Sequence, residues 1–228
     1  MVAIFVMFTI LAFLAIDVLL QRSARKKEAL APRAVRLPLA DRFLIPRGYF
    51  LSRGHSWIEL LFTGNARVGV DDFVQKLVGT VDAITLPPLR TEIRKGEPLF
   101  ILRSGQRELT VPSPLSGTVV EVNPEVAVNP GAVNHDPYIS GWAAVIEPTN
   151  LSQELPLFNV AESAAKWLRG EISHFRNFIK EYAFRMEAQP LPAGVTLLDG
   201  GMPVAGVLQM TDDQTWKAFE REFLCDSR

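Results

Sequence analysis

The chain has 228 residues, 24 Lys and Arg against 25 Asp and Glu, three histidines and a single cysteine, Cys225. That length exceeds one average domain and suffices to bury a full core. The near-cancelling charge argues against the strongly basic surface of a nucleic-acid binder, and one cysteine excludes both an intramolecular disulfide framework and a cysteine-pair zinc site.

The first twenty residues are the most apolar of the chain. From Val2 to Leu20 only Thr9 and Asp17 interrupt a run of Ala, Ile, Phe, Val, Met and Leu. As a helix this run is about 28 Å long, close to the hydrocarbon thickness of a bilayer, and reads as a transmembrane helix over 1–20. A cleaved export signal needs a basic stretch before the run and a small-residue cleavage site after it. Instead Arg22, Arg25, Lys26 and Lys27 follow it directly. The positive-inside rule then predicts a single-pass protein of the inner (cytoplasmic) membrane, N-terminus out and globular part cytoplasmic. Residues 21–48 contain Pro32, Pro38 and Pro46 and read as a basic, semi-extended linker. Its four cations either set topology alone or also touch anionic lipid, at about 1 kcal/mol each.

From residue 49 to 150 the pattern changes to short apolar runs broken by Gly, Pro and Asn. Strands are predicted at 56–62, 66–70, 80–85, 98–103, 108–111, 117–122 and 142–147, with one short helix at 71–78 started by an aspartate. Such punctuation points to a small, mainly β sandwich or barrel. Residues 151–228 read as a C-terminal extension of helix, hairpin and helix. Ala164, Trp167, Leu168, Ile172, Phe175, Phe178, Ile179 and Tyr182 recur at helical spacing over 161–182, with Gly170 a weak point. The aromatic members of that face suit burial or a partner groove. Asp199-Gly200-Gly201 sits between apolar runs as a hairpin turn, and Thr211-Asp212-Asp213 offers an N-cap for a last helix.

Within 49–150 the residues resemble the glycine cleavage system H-protein family. HSWIEL, beginning at His55, resembles the family's opening His-x-Trp strand. ARVGVDDFVQKLVGTVDAITLP resembles the strand, short helix and strand that follow, with Gly69, Asp72, Leu77, Gly79, Leu86 and Pro87 in place. Glu92, Lys95, Gly96 and Glu97 resemble the next turn. SPLSGTVVEVN from Ser113 and VNHDPYISGWAAVIEP from Val133 resemble two further signatures. The resemblance implies a lipoyl-carrier β-sandwich (a barrel-sandwich hybrid). In that family a lysine at a hairpin tip carries lipoate through an amide bond, and the arm ferries an aminomethyl group between partner enzymes.

Counted back from Ser113-Pro114, the family's Glu-Ser-x-Lys-Ala segment corresponds here to Arg103, Ser104, Gly105, Gln106, Arg107 and Glu108. Only the serine is kept, and Gln106 occupies the lysine position. A carboxamide nitrogen, its lone pair delocalised into the carbonyl, cannot attack an activated acyl group as an amine does. Lipoate is therefore expected to be absent. Arg103 and Arg107 reverse the charge of the loop, so these six residues are candidates for partner binding, with a solvated turn as the plain alternative.

No other constellation carries chemistry. His135-Asp136 belongs to a turn in which the carboxylate is expected to bond backbone amides, His55 is expected at a surface or edge, and His174 on the long helix. Scattered histidines make no metal site, and Cys225 has no base beside it. The sequence thus predicts a membrane-tethered, non-catalytic scaffold that docks a cytoplasmic enzyme or membrane-complex partner. One alternative keeps the carrier role with another lysine modified, Lys76 or Lys95; another is an enzyme whose site lies between the sandwich and the C-terminal region, for which His135→Ala would abolish activity.

Overall fold

A computed structural model describes residues 43–185, 198–199 and 202–225, all within the compact unit Ala34–Arg228. The expected span over residues 2–20 and the basic cluster after it lie outside the described residues. Among the described residues no helix is long and apolar enough to cross a membrane.

The strands follow the alternation of the sequence. Phe50–Leu51 (β1), Ser56–Leu60 (β2) and Ala66–Val70 (β3) lead into the helix Asp72–Val78 (α1). Asp71 caps that helix, its Oδ1 accepting from the Val74 amide at 2.9 Å, as the aspartate start signal predicts. Next come Ala83–Thr85 (β4), Glu92–Ile93 (β5), Pro98–Ser104 (β6), Arg107–Pro112 (β7) and Gly117–Val122 (β8). Two short helices, Pro124–Val128 (α2) and Ala132–His135 (α3), precede Ala144–Pro148 (β9), and the helix Leu151–Glu154 (α4) precedes Asn159–Val160 (β10). The two-residue strands β1, β5 and β10 and the helices α2, α3 and α4 were not expected, because they are too short to show a period.

All pairings are antiparallel. One sheet has the order β10-β1-β2-β3-β9-β8-β5 and the other β4-β6-β7. Between them lies a single apolar cluster centred on Trp57, Ile58, Val68, Leu102, Leu109 and Ile146, each without solvent contact. The Trp57 indole donates to the Val70 carbonyl at 2.9 Å and lies against Gly69, where an added Cβ would fall 2.5 Å from the ring. Glycine is required there by space. Tyr138, from the Asp-Pro-Tyr signature, accepts from the Asp72 amide at 3.2 Å and donates to the Leu44 carbonyl at 2.8 Å. Tyr49 donates to the Tyr138 carbonyl at 2.9 Å. Burial drives both phenols above their usual ionisation range, so they remain neutral donors.

The rest of the chain packs on this sandwich. Ala161–Arg185 (α5) is one continuous helix through Gly170, which faces open space. Its apolar stripe is buried rather than left for a partner: Ala164, Leu168, Ile172, Phe175, Phe178, Ile179 and Tyr182 are all enclosed, Trp167 half so. Leu198–Asp199 (β11) pairs with Met202–Pro203 (β12), and Asp213–Phe219 (α6), capped by Asp212, runs on into a π turn, Glu220–Leu224. The rings of Phe73, Phe175, Phe178, Phe219 and Phe223 join sandwich, α5 and C-terminus in one aromatic cluster, with centroids 4.9–6.5 Å apart.

Candidate functional site

The six residues singled out from the sequence form the tip of the β6–β7 hairpin. Ser104 faces Arg107 as the last pair of the ladder, leaving Gly105 and Gln106 as the turn. Gly105 takes a φ of 61°, a left-handed conformation that glycine adopts without cost, and its amide donates to Asp82 Oδ2 at 2.6 Å. Arg103, Gly105, Gln106 and Glu108 are exposed, Arg107 is half-buried and Ser104 is buried.

The flank of the tip is not free. Ser104 Oγ accepts from Gln209 Nε2 at 2.8 Å. Arg107 donates through Nε to Asp213 Oδ1 at 2.8 Å and through Nη1 to the Leu208 carbonyl at 3.1 Å, with its guanidinium 5.6 Å from the Trp216 ring centre. Trp216 Nε1 donates to the Glu108 carbonyl at 2.7 Å, and Glu220 Oε1 accepts from the Thr110 amide at 2.8 Å. Glu108 and Thr110 are two residues apart, so their main-chain groups point to the same, outer edge of β7. An edge strand offers such groups to any passing strand. Here the C-terminal segment takes them. Further along, the Gly206 amide donates to the Lys76 carbonyl at 2.7 Å, and Gly79 and Gly206 approach so closely that a Cβ on Gly79 would meet Gly206 Cα at 2.7 Å.

A half-open cavity of about 1020 Å³ lies between the hairpin and α6, reached by Asp82, Gly105, Gln106, Asp213 and Lys217. Nothing local in the sequence links Gln209, Asp213, Trp216 and Glu220 to the hairpin, since pairings a hundred residues apart leave no local pattern. The one clue was composition: an arginine replaced the family's small residue after the lysine, and a half-buried guanidinium requires acceptors.

Position 106 does not fit lipoate attachment. Its side chain is an exposed carboxamide, and the acyl link needs an amine. Of the two lysines considered, Lys76 holds Asp72 Oδ2 at 2.6 Å with its ammonium 5.5 Å from the Phe43 ring centre. Lys95 is half-buried in the β5–β6 turn, its amide donating to Ser116 Oγ at 3.0 Å. Lys217, on α6, is exposed and shares the cavity with Gln106.

The histidines fall differently from expectation in one case. His55 is fully buried, not at a surface or edge. Its Nδ1 lies 2.7 Å from Asp71 Oδ2 and its Nε2 3.7 Å from Glu171 Oε2, with the ring stacked on Phe73 at 4.8 Å and beside Trp167 at 4.9 Å. Burial alone lowers its pKa, but the two carboxylates outweigh this and raise it to about 9. The backbone at His55 has a φ of 58°, the local strain of a tight entry into β2. Sealed from solvent, the imidazole pins α5 to the sandwich and meets no substrate. His174 continues the series, its Nε2 2.6 Å from Glu222 Oε1 and its ring stacked on Phe223 at 4.5 Å. Asp136 accepts from the Ile139 amide at 3.2 Å, the turn role expected of it, and His135 is exposed beside it. Among the described residues no group of His, Cys, Asp and Glu is placed to hold a metal ion.

The model of the glycine cleavage H-protein family matches residues 49–170. A probable glycine cleavage system H protein of Pyrococcus abyssi is 35% identical over 127 residues, 56% of this chain and 94% of that protein. The glycine cleavage system H protein of Coprothermobacter proteolyticus is 40% identical over 105 residues, 46% of this chain and 83% of its own length. A solved H protein from Mycobacterium marinum aligns with a TM-score of 0.43 at 27% identity, covering 46% of this chain and 87% of that one. These findings correct one expectation. Gln106 led to the inference that lipoate is absent, whereas relatives at this identity are glycine cleavage H proteins, a lipoate-carrying family of non-catalytic proteins. Matched over more than half its length, the chain belongs to the glycine cleavage H-protein family.

Proposed function

We propose that this chain is an H-protein-type carrier for a lipoyl-bound aminomethyl group, holding it on a lysine other than position 106 and meeting partner enzymes at the β6–β7 hairpin. The observation that carries this reading is the coverage of the relatives: the chain spans 94% of the P. abyssi protein at 35% identity. Lys95 and Lys217 support it from the structure. Both open onto a cavity that also touches β7 at Thr110 and Pro112, so an amine stands near the hairpin although none stands on its tip. The apolar run over residues 2–20 and the cations after it support a cytoplasmic membrane anchor for this carrier.

A second reading, a membrane-held docking subunit, draws on two observations: the carboxamide at position 106, and the C-terminal segment fastened along β7, which fixes the hairpin as a rigid surface. One experiment separates the two. The full chain, expressed with lipoate and a lipoyl ligase, is incubated with glycine labelled at its α-carbon and the glycine decarboxylase of a glycine cleavage system, the carboxyl group leaving as carbon dioxide. The carrier reading expects label on the chain, unchanged by Gln106→Ala. Labelling absent from both proteins, with the decarboxylase still bound, would favour the docking subunit.

A further inference from the structure

The β2–β3 turn carries a side chain that the core does not use. Leu60 and Ala66 form the last rung of the ladder. Beyond it Phe62 is exposed over its whole surface, the most exposed large apolar side chain among the described residues. Its neighbours Leu60 and Leu61 are half-exposed, so three large apolar residues stand in a row where turns favour polar ones. A single exposed apolar residue needs no explanation; a run of three at a protruding tip does.

The turn itself does not require Phe62. Gly64, at a φ of 88°, supplies the left-handed residue. The Leu61 amide donates to the Asn65 carbonyl at 2.8 Å and the Gly64 amide to the Leu61 carbonyl at 2.9 Å. These bonds hold the tip in one shape and satisfy two of its amides internally, which lowers the cost of taking it out of water. No charge lies between residues 60 and 66. The first charges on either side, Glu59 and Arg67, face each other across the ladder and bond at 2.9 Å, so the base of the tip is neutral as well. A convex, uncharged, aromatic-bearing tip suits the interfacial layer of a bilayer, whose acyl chains accept an apolar ring without a preformed groove.

The apolar run over residues 2–20 brings a bilayer within reach. The chain between it and Phe43 covers about 25 Å even as a random coil. A lone phenylalanine partitions weakly from free solution, but on a tethered domain the second contact is intramolecular and a small affinity suffices. We propose that the β2–β3 tip dips into the lipid interface, with Phe62 among the acyl chains, and so fixes which face of the sandwich is turned to the membrane. This rests on the membrane anchor proposed above and is independent of where lipoate is attached.

The test uses the full chain in lipid nanodiscs, with Cys225→Ser and a nitroxide introduced by Ile10→Cys, Thr63→Cys or Glu125→Cys in turn. Electron paramagnetic resonance then compares access of oxygen, which concentrates in lipid, with access of a water-soluble nickel complex. Glu125 is exposed past the other end of β8 and serves as the aqueous reference. The expected result is oxygen over nickel at positions 10 and 63, and nickel over oxygen at 125. Phe62→Ser should shift position 63 to the aqueous pattern and leave position 10 unchanged, with near-UV circular dichroism confirming native packing. An aqueous pattern at 63 beside a lipid pattern at 10 would overturn the inference and leave the anchor standing. Shielding of position 63 from both reagents, the mark of a protein surface over the tip, would overturn it too. An aqueous pattern at position 10 would remove the anchor, and the inference with it.

Discussion

An imidazole with no solvent contact, held between Asp71 and Glu171, carries its charge well past neutral pH. Because the folded pKa of His55, about 9, lies above the ordinary 6.5, its contribution to stability is complete below about pH 6.5 and is lost as pH rises through 9. The shift corresponds to about 3 kcal/mol at 1.36 kcal/mol per unit. Denaturant unfolding across this pH window should show that fall, and His55→Gln should flatten it while lowering stability at pH 6. The sequence showed a histidine before a tryptophan and suggested an edge position; its burial depends on Glu171 and Trp167, over a hundred residues away, and no local pattern reports them. Gly69 was legible only as a match to the family. The structure supplies the reason, a tryptophan ring in the place of a side chain, so Gly69→Ala should destabilise the protein by about 1–3 kcal/mol in the same assay.

At the scale of elements, strands long enough to alternate were legible and the shortest were not. β3 and β8 coincide with their expected bounds, β6 runs one residue further at its end and β7 one residue further at each end. The region 80–85 shrinks to the three residues of β4: the Asp82 amide still donates to the Arg103 carbonyl of β6, but the Val81 amide before it turns to Asn134 Oδ1. The amphipathic stripe of α5 was legible as a face to be covered, because seven apolar residues at helical spacing are too large a surface to leave wet; that the sandwich and C-terminus cover it, not a partner, required coordinates. The clamp on the hairpin was invisible for the opposite reason: it is made of single polar groups. Two substitutions at Trp216 divide its contributions. Trp216→Phe keeps the ring and removes the bond to the Glu108 carbonyl, and should cost about 1 kcal/mol. Trp216→Ala also opens a void and should cost about 3–5 kcal/mol. In both variants hydrogen exchange should quicken at Thr110, whose amide is held by Glu220 one turn away.

For the molecule as a whole, the H-protein core was legible from motifs at family spacing, whereas the arrangement of the C-terminal region required coordinates. What the sequence misjudged was the weight of one side chain. Gln106 does exclude an acyl link at the tip, but the tip is one short segment of a domain that is 35% identical to the P. abyssi protein over 127 residues, and other amines lie near its strands. The most direct measurement is intact mass with peptide mapping of the full chain expressed with lipoate and a lipoyl ligase. The account predicts the added mass of one lipoyl group, mapped to a lysine and persisting in Gln106→Ala. A chain that remains at its unmodified mass while a lipoylated H protein expressed alongside it gains the group would contradict the carrier function.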